Sequence, residues 1–218
     1  MITPTYTWRF RAMRDAAFDV QDWLLMFGAV NLTWFGLSVT LIMLPPATAA
    51  LYDLAYAAYR GVYPTPRRYL GFVRERLITG WIWGLANILL LVMAGVTIRF
   101  YAEQGTAFTE LLRGVTIFIT LLAVIAQFYL WPYMAIQEEP NLLGSLRNAA
   151  FTSMADPMLL ILNGGLTLFI LIPGIVVLAP MMLIVPVFLA LVGTYSLVDW
   201  LVRQGIIEDP RERDEHGI

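Results

Sequence analysis

The side chains able to do chemistry in this chain are polar groups set inside long apolar runs. Asn31, Trp34 and Ser38 are spaced i, i+3 and i+7, which puts them on one face of a helix. Thr48 and Asp53 follow in "LPPATAALYDLAYAAYRG" (residues 44–61), Asn87 lies in "GLANILLLV", and Asn163 opens the step Asn-Gly-Gly. Amides, hydroxyls and a carboxylate at membrane depth are the groups that would hold a cation or sugar hydroxyls. A carboxylate there must find a cation, reach the interface or take up a proton. Arg60, seven residues beyond Asp53, can share its face. The same residue types also join helices by hydrogen bonds worth about 0.6–2 kcal/mol each. Both readings stand.

Other chemistries are poorly supplied. The chain has no cysteine, so disulfides, thiol nucleophiles and thiolate metal sites are excluded. Its one histidine, His216, lies in the charged tail "EDPRERDEHGI", and Glu138-Glu139 sits just past an apolar run with no third ligand beside it. No phosphate-binding loop, dinucleotide fingerprint, zinc-helix motif or nucleophile elbow is present. The expectation is therefore no catalytic, cofactor-binding or metal-binding residue. A net charge of −2 gives no pull toward nucleic acid.

The elements that must hold these groups are membrane helices. Apolar residues make up 59% and charged residues 14% of the 218, and mean hydropathy is +0.70. Soluble domains average about 45–50% and about 25%. The runs 23–44, 77–98, 114–136, 158–179 and 181–202 each exceed the roughly 18 residues that mark a spanning helix. The first is too long for the core of a cleaved signal peptide. All 14 basic residues are arginines, and cytoplasmic segments hold the excess of positive charge. If residues 46–61 return across the bilayer, only Arg99 and Arg113 lie outside. That return rests on a stripe of Tyr52, Tyr56, Tyr59 and Tyr63. A helix over 46–61 would be about 24 Å long, short of the roughly 30 Å hydrocarbon layer. A surface or re-entrant helix is the alternative.

The expected fold is all-α: one membrane domain over 1–218 with six spanning helices in three hairpins, the second helix short. A charged cytoplasmic tail covers 205–218. Short echoes, "RDAAFDVQDWLL" with "RNAAFTSMADPMLL" and "YLGFVR" with "LLGSLR", suggest repeat units at 6–60, 65–136 and 140–204. Amphipathic linker helices are expected at the interface. Over 66–77 they present Tyr69, Phe72, Val73 and Leu77, and over 140–154 Leu142, Leu143, Leu146, Ala150 and Met154. Arg67, Arg68, Arg74, Arg76 and Arg147 on these linkers would meet lipid headgroups or a partner. Asn163-Gly164-Gly165, Pro173-Gly174 and Pro186 suggest interrupted helices of the kind that frame transporter sites.

"NLTWFGLSVTLIMLPPATAALYDLAYAAYRG" (residues 31–61) resembles the YesL-type family of small bacterial membrane proteins. The family pattern is matched by Asn31, Leu32, Trp34, Ser38, Pro46, Ala47, Thr48, Ala50, Leu51 and Tyr52. "LITGWIWGLANILLL" and "GSLRNAAF" carry the likeness onward in outline, and Asp53 is outside the pattern. The arginine distribution over six crossings puts both termini in the cytoplasm, and the resemblance implies a multi-pass protein of the bacterial inner membrane acting as a non-enzymatic accessory to carbohydrate uptake or sensing. Its partners would be the bilayer and either transporter subunits or further copies of itself. It supplies no catalytic residue. The alternative is a small-solute carrier, for sugar or coupled to a cation, with the polar site above inside the bundle.

Overall fold

A computed structural model describes residues 7–176 and 184–211. Among them are ten α-helices and no strand: α1 (Thr7–Asp22), α2 (Leu24–Ser38), α3 (Leu44–Tyr59), α4 (Pro66–Glu75), α5 (Leu77–Gln104), α6 (Ala107–Ala126), α7 (Leu130–Ile136), α8 (Leu142–Ala155), α9 (Pro157–Val176) and α10 (Val185–Arg203). Local chemistry sets several boundaries. Pro45 and Pro46 occupy the first turn of α3, where a missing N–H breaks no helical bond. Gly61, at φ +77°, closes the other end: its N–H reaches the Ala58 carbonyl, and the Val62 N–H reaches that of Ala57. Thr65 caps α4 by accepting from the Arg68 N–H at 3.2 Å, and Asn141 caps α8.

The core lies around α3 and α10. Ala47, Ala50, Leu51, Leu54, Leu191, Tyr195 and Val198 are all buried and packed into one cluster with Val30 of α2 and Ala16 of α1. The opposite holds for α5 and α6. Along α5 only Gly80, Gly84 and Ala94 are buried, and Ala107–Val124 has no buried residue. Leu89, Met93, Val96 and Phe118 are each about 60% exposed or more. A helical pair so apolar and so bare fits lipid, not water.

Where six spans are expected, three helices among the described residues are long and apolar enough to cross a membrane: Leu77–Gln104, Ala107–Val124 and Val185–Arg203. The differences have physical causes. Helices α2 and α3 hold 15 and 16 residues, because the chain turns at 39–43 instead of continuing to Leu44. The run 114–136 is divided at Gln127–Tyr129, and α7 folds into the body with Leu130, Trp131 and Met134 buried against α3. Helix α9 passes through Asn163–Gly165 and Pro173–Gly174 without interruption, and Pro186 starts α10 instead of breaking it. Residues 181–183 lie outside the described residues.

Linker helix α4 buries Tyr69 and Val73 as expected from its apolar face. In α8 the protein-facing side is the small one, Ser145, Ala149 and Thr152. Leu143, Phe151 and Met154 point away from the body, 77%, 68% and 81% exposed. The tail folds back through Pro210, which is buried, and Arg211; His216 lies outside the described residues.

Candidate functional site

Helix α3, which packs against α4, α5 and α7, carries the one carboxylate that is buried among the described residues, Asp53. Arg76, at the α4–α5 junction, grips Asp53 with two parallel bonds, Nε to Oδ2 at 2.7 Å and Nη2 to Oδ1 at 2.6 Å. Its Nη2 also donates to the Met134 carbonyl at 2.9 Å, at the end of α7. The side chains are 9% and 13% exposed, so this is a buried, bidentate pair. Burial weighs against the Arg76 charge, yet the Asp53 carboxylate prevails and holds the guanidinium even more firmly protonated than usual. The partner of Asp53 is thus Arg76, which arrives from the next helix, and not Arg60 seven residues along α3. Arg60 is exposed.

The other sequence-derived site residues do not gather around Asp53. Trp34 and Thr48 meet across the α2–α3 seam, where the indole N–H donates to Thr48 Oγ1 at 3.3 Å. Asn31 is fully buried, and its Oδ1 accepts from the Val187 N–H at 3.1 Å, tying α2 to the first turn of α10. Ser38 Oγ, in the last turn of α2, has no hydrogen-bond partner. Asn87 donates to the Trp83 carbonyl of its own helix at 2.9 Å. Asn163 donates to the Tyr129 hydroxyl and accepts from Ser196 Oγ, each at 3.0 Å. Of the linker arginines, Arg67, Arg68, Arg74 and Arg147 are exposed, and only Arg76 turns inward. Among the described residues no group of three His, Asp or Glu is placed to hold a metal ion.

Two arrangements escape the sequence reading. Gly80 and Gly84 of α5 receive the proline pair of α3: a Cβ on Gly80 would lie 2.6 Å from Pro46 Cα, and one on Gly84 2.8 Å from Pro45 Cγ. The Gly-x-x-x-Gly spacing was the available signal. The second joins both ends of the chain. Tyr59 donates to Asp199 at 3.1 Å, Tyr195 donates to Asp19, and the Arg211 guanidinium lies 3.9 Å over the Tyr59 ring. Burial raises the Asp19 carboxyl above its ordinary range, partly offset by the Tyr195 hydrogen bond and by Arg211.

Two cavities open on this arginine-rich face. One, of about 790 Å³, is lined by Asp53, Tyr56, Arg60, Phe72, Gln137 and Glu138 among others. Another, of about 640 Å³, is bordered by Arg11, Arg14, Asp15, Trp23 and Arg211.

Together these features define a helical protein with, among the described residues, three helices long and apolar enough to cross a membrane and buried polar groups that mostly bond helix to helix. No protein-family model, curated protein or solved structure matches the chain.

Proposed function

We propose that the protein is a non-enzymatic accessory or scaffold in a bacterial inner membrane, with both termini cytoplasmic, serving a carbohydrate uptake or sensing system. The observation that carries the non-transport reading is the closure of Asp53 by Arg76, whose guanidinium is itself anchored on the Met134 carbonyl. A carboxylate so bound has little left to offer a passing ion. Asn31 and Asn163 are likewise engaged in ties between helices. The bare apolar surface of α5 and α6 offers lateral contact to lipid, to transporter subunits or to another copy of the chain. The carbohydrate assignment rests on the resemblance across residues 31–61.

The second reading is a small-solute carrier, favoured by one observation: Asp53 borders the 790 Å³ cavity on the arginine-rich face. Affinity purification from native membranes together with flux in proteoliposomes separates the two. Co-purified transporter subunits without solute flux support the scaffold. Sugar or cation flux that disappears in the paired variant Asp53→Leu/Arg76→Met, while the protein remains folded, replaces it with the carrier. The paired change is the fair test, because neither charge is left stranded.

A further inference from the structure

The long α5 provides a ruler for depth. Its 28 residues make about 42 Å of helix, and its apolar stretch begins at Leu77 and runs to Ile98. Helix α3 runs antiparallel to it. Asp53 meets Arg76 just before α5 begins, Pro46 meets Gly80, and Pro45 meets Gly84. The top of α3 therefore reaches only the level of Gly84, about 10 Å along α5. Beyond that level about 21 Å of apolar helix remain before Ile98. The turn that joins α2 to α3 ends far short of the opposite surface.

That turn is built for hydrocarbon. Residues 39–43 read Val-Thr-Leu-Ile-Met, with no charge anywhere between Asp22 and Asp53. Val39, Leu41 and Ile42 are 66%, 73% and 59% exposed. Water-facing turns favour Gly, Asn or Asp, above all at a positive φ, yet here Leu41 takes φ +57°. Backbone donors in lipid must be satisfied internally. From Val39 to Leu44 every N–H is: Val39 to Phe35 O, Thr40 to Leu37 O, Leu41 to Ser38 O, Ile42 to Thr40 O, Met43 to Thr40 Oγ1 and Leu44 to Leu41 O. The Thr40 hydroxyl in turn donates to the Leu37 carbonyl at 2.7 Å.

We infer that α2 and α3 form a re-entrant hairpin whose apolar turn is seated among the acyl chains of the arginine-side leaflet and does not reach the opposite face. The occupant of this exposed surface is lipid, in one leaflet only. The inference rests on the membrane reading, in which α5 and α6 cross. A hairpin that enters and returns leaves the flanking arginines on one side, as a double crossing would. Charge placement therefore could not separate the two, whereas the contacts with α5 do.

The chain has no cysteine, so single cysteines report position without interference. Ile42→Cys at the turn, Gln104→Cys at the far end of α5 and Arg68→Cys on α4 would be labelled with a membrane-impermeant maleimide in sealed vesicles of each orientation. The expected result is Arg68→Cys labelled from one side, Gln104→Cys from the other, and Ile42→Cys from neither until detergent is added. A bimane on Ile42→Cys should be quenched by lipids brominated near the chain end more than by lipids brominated near the glycerol. Labelling of Ile42→Cys from the Gln104 side overturns the inference in favour of a full crossing. Labelling from the Arg68 side overturns it in favour of a hairpin in water. If Gln104→Cys and Arg68→Cys label from the same side, the crossing of α5 itself fails, which is a separate result. Val39→Cys repeats the test should Ile42→Cys not fold.

Discussion

Asp53 and Arg76 share a bond that is costly to break from one side. Removing one partner of a buried pair strands the other charge and costs about 3–5 kcal/mol, whereas replacing both with apolar residues is often neutral. Melting in detergent micelles should therefore show Asp53→Leu and Arg76→Met each strongly destabilised and the double variant close to the parent. Two additive losses would mean that the pair is not coupled. Asp19 gives a pH signature. Its carboxyl binds a proton more tightly in the folded state than at the ordinary value of 3.8, because burial disfavours the charge. Its contribution to stability therefore grows as pH falls from the raised native value toward 3.8, and is lost as pH rises back through that window. Asp19→Asn should flatten this part of the melting-temperature profile relative to the parent. An unchanged profile removes Asp19 as its source.

Between elements, glycine and proline make a close approach. A methyl on Gly80 would meet Pro46 Cα and N at 2.6 and 2.8 Å, and main-chain atoms cannot swing aside. Gly80→Ala should lower stability by about 1–3 kcal/mol, the usual range for overpacking. Gly95→Ala, with nothing within 4 Å, should be neutral or slightly stabilising. Equal effects at the two sites would show that α3 and α5 do not pack as described. This contact also marks the limit of what the sequence discloses. Helix starts at Pro45-Pro46, Thr65-Pro66 and Asn141 are written in local chemistry and can be read directly, as can the buried face of α4. Asp53 stands out by its type alone. Its partner does not, because spacing along one helix points to Arg60 while the real contact comes from the following helix. The separation of α7 was equally hidden: residues 114–136 read as one apolar run, and only the packing of Trp131 and Met134 against α3 reveals the break.

At the scale of the whole molecule the arginines are unevenly placed. Arg11, Arg14, Arg67, Arg68, Arg74 and Arg147 are exposed on the linker helices α1, α4 and α8. Arg99 and Arg113 lie toward the α5–α6 tip, each balanced by a neighbouring glutamate at 3.1 and 2.9 Å. The hairpin tip is thus locally neutral, and on α1 Asp15 pairs with Arg11 and Arg14; a local excess remains on α4, where Arg67, Arg68 and Arg74 are exposed beside the single acid Glu75. Basic residues held near an anionic leaflet contribute about 1 kcal/mol each, and salt screens them as the Debye length falls from about 10 Å at 0.1 M to about 3 Å at 1 M. Reconstitution into phosphatidylglycerol vesicles should therefore raise the melting temperature over phosphatidylcholine, with most of the difference gone at high salt. The triple variant Arg67→Gln/Arg68→Gln/Arg74→Gln should lose a share of that gain while matching the parent in phosphatidylcholine. A lipid preference indifferent to both salt and the triple change would mean that α4 does not rest on headgroups. The arginine asymmetry would then act only in setting orientation during insertion, and the stability of the folded protein would owe it nothing.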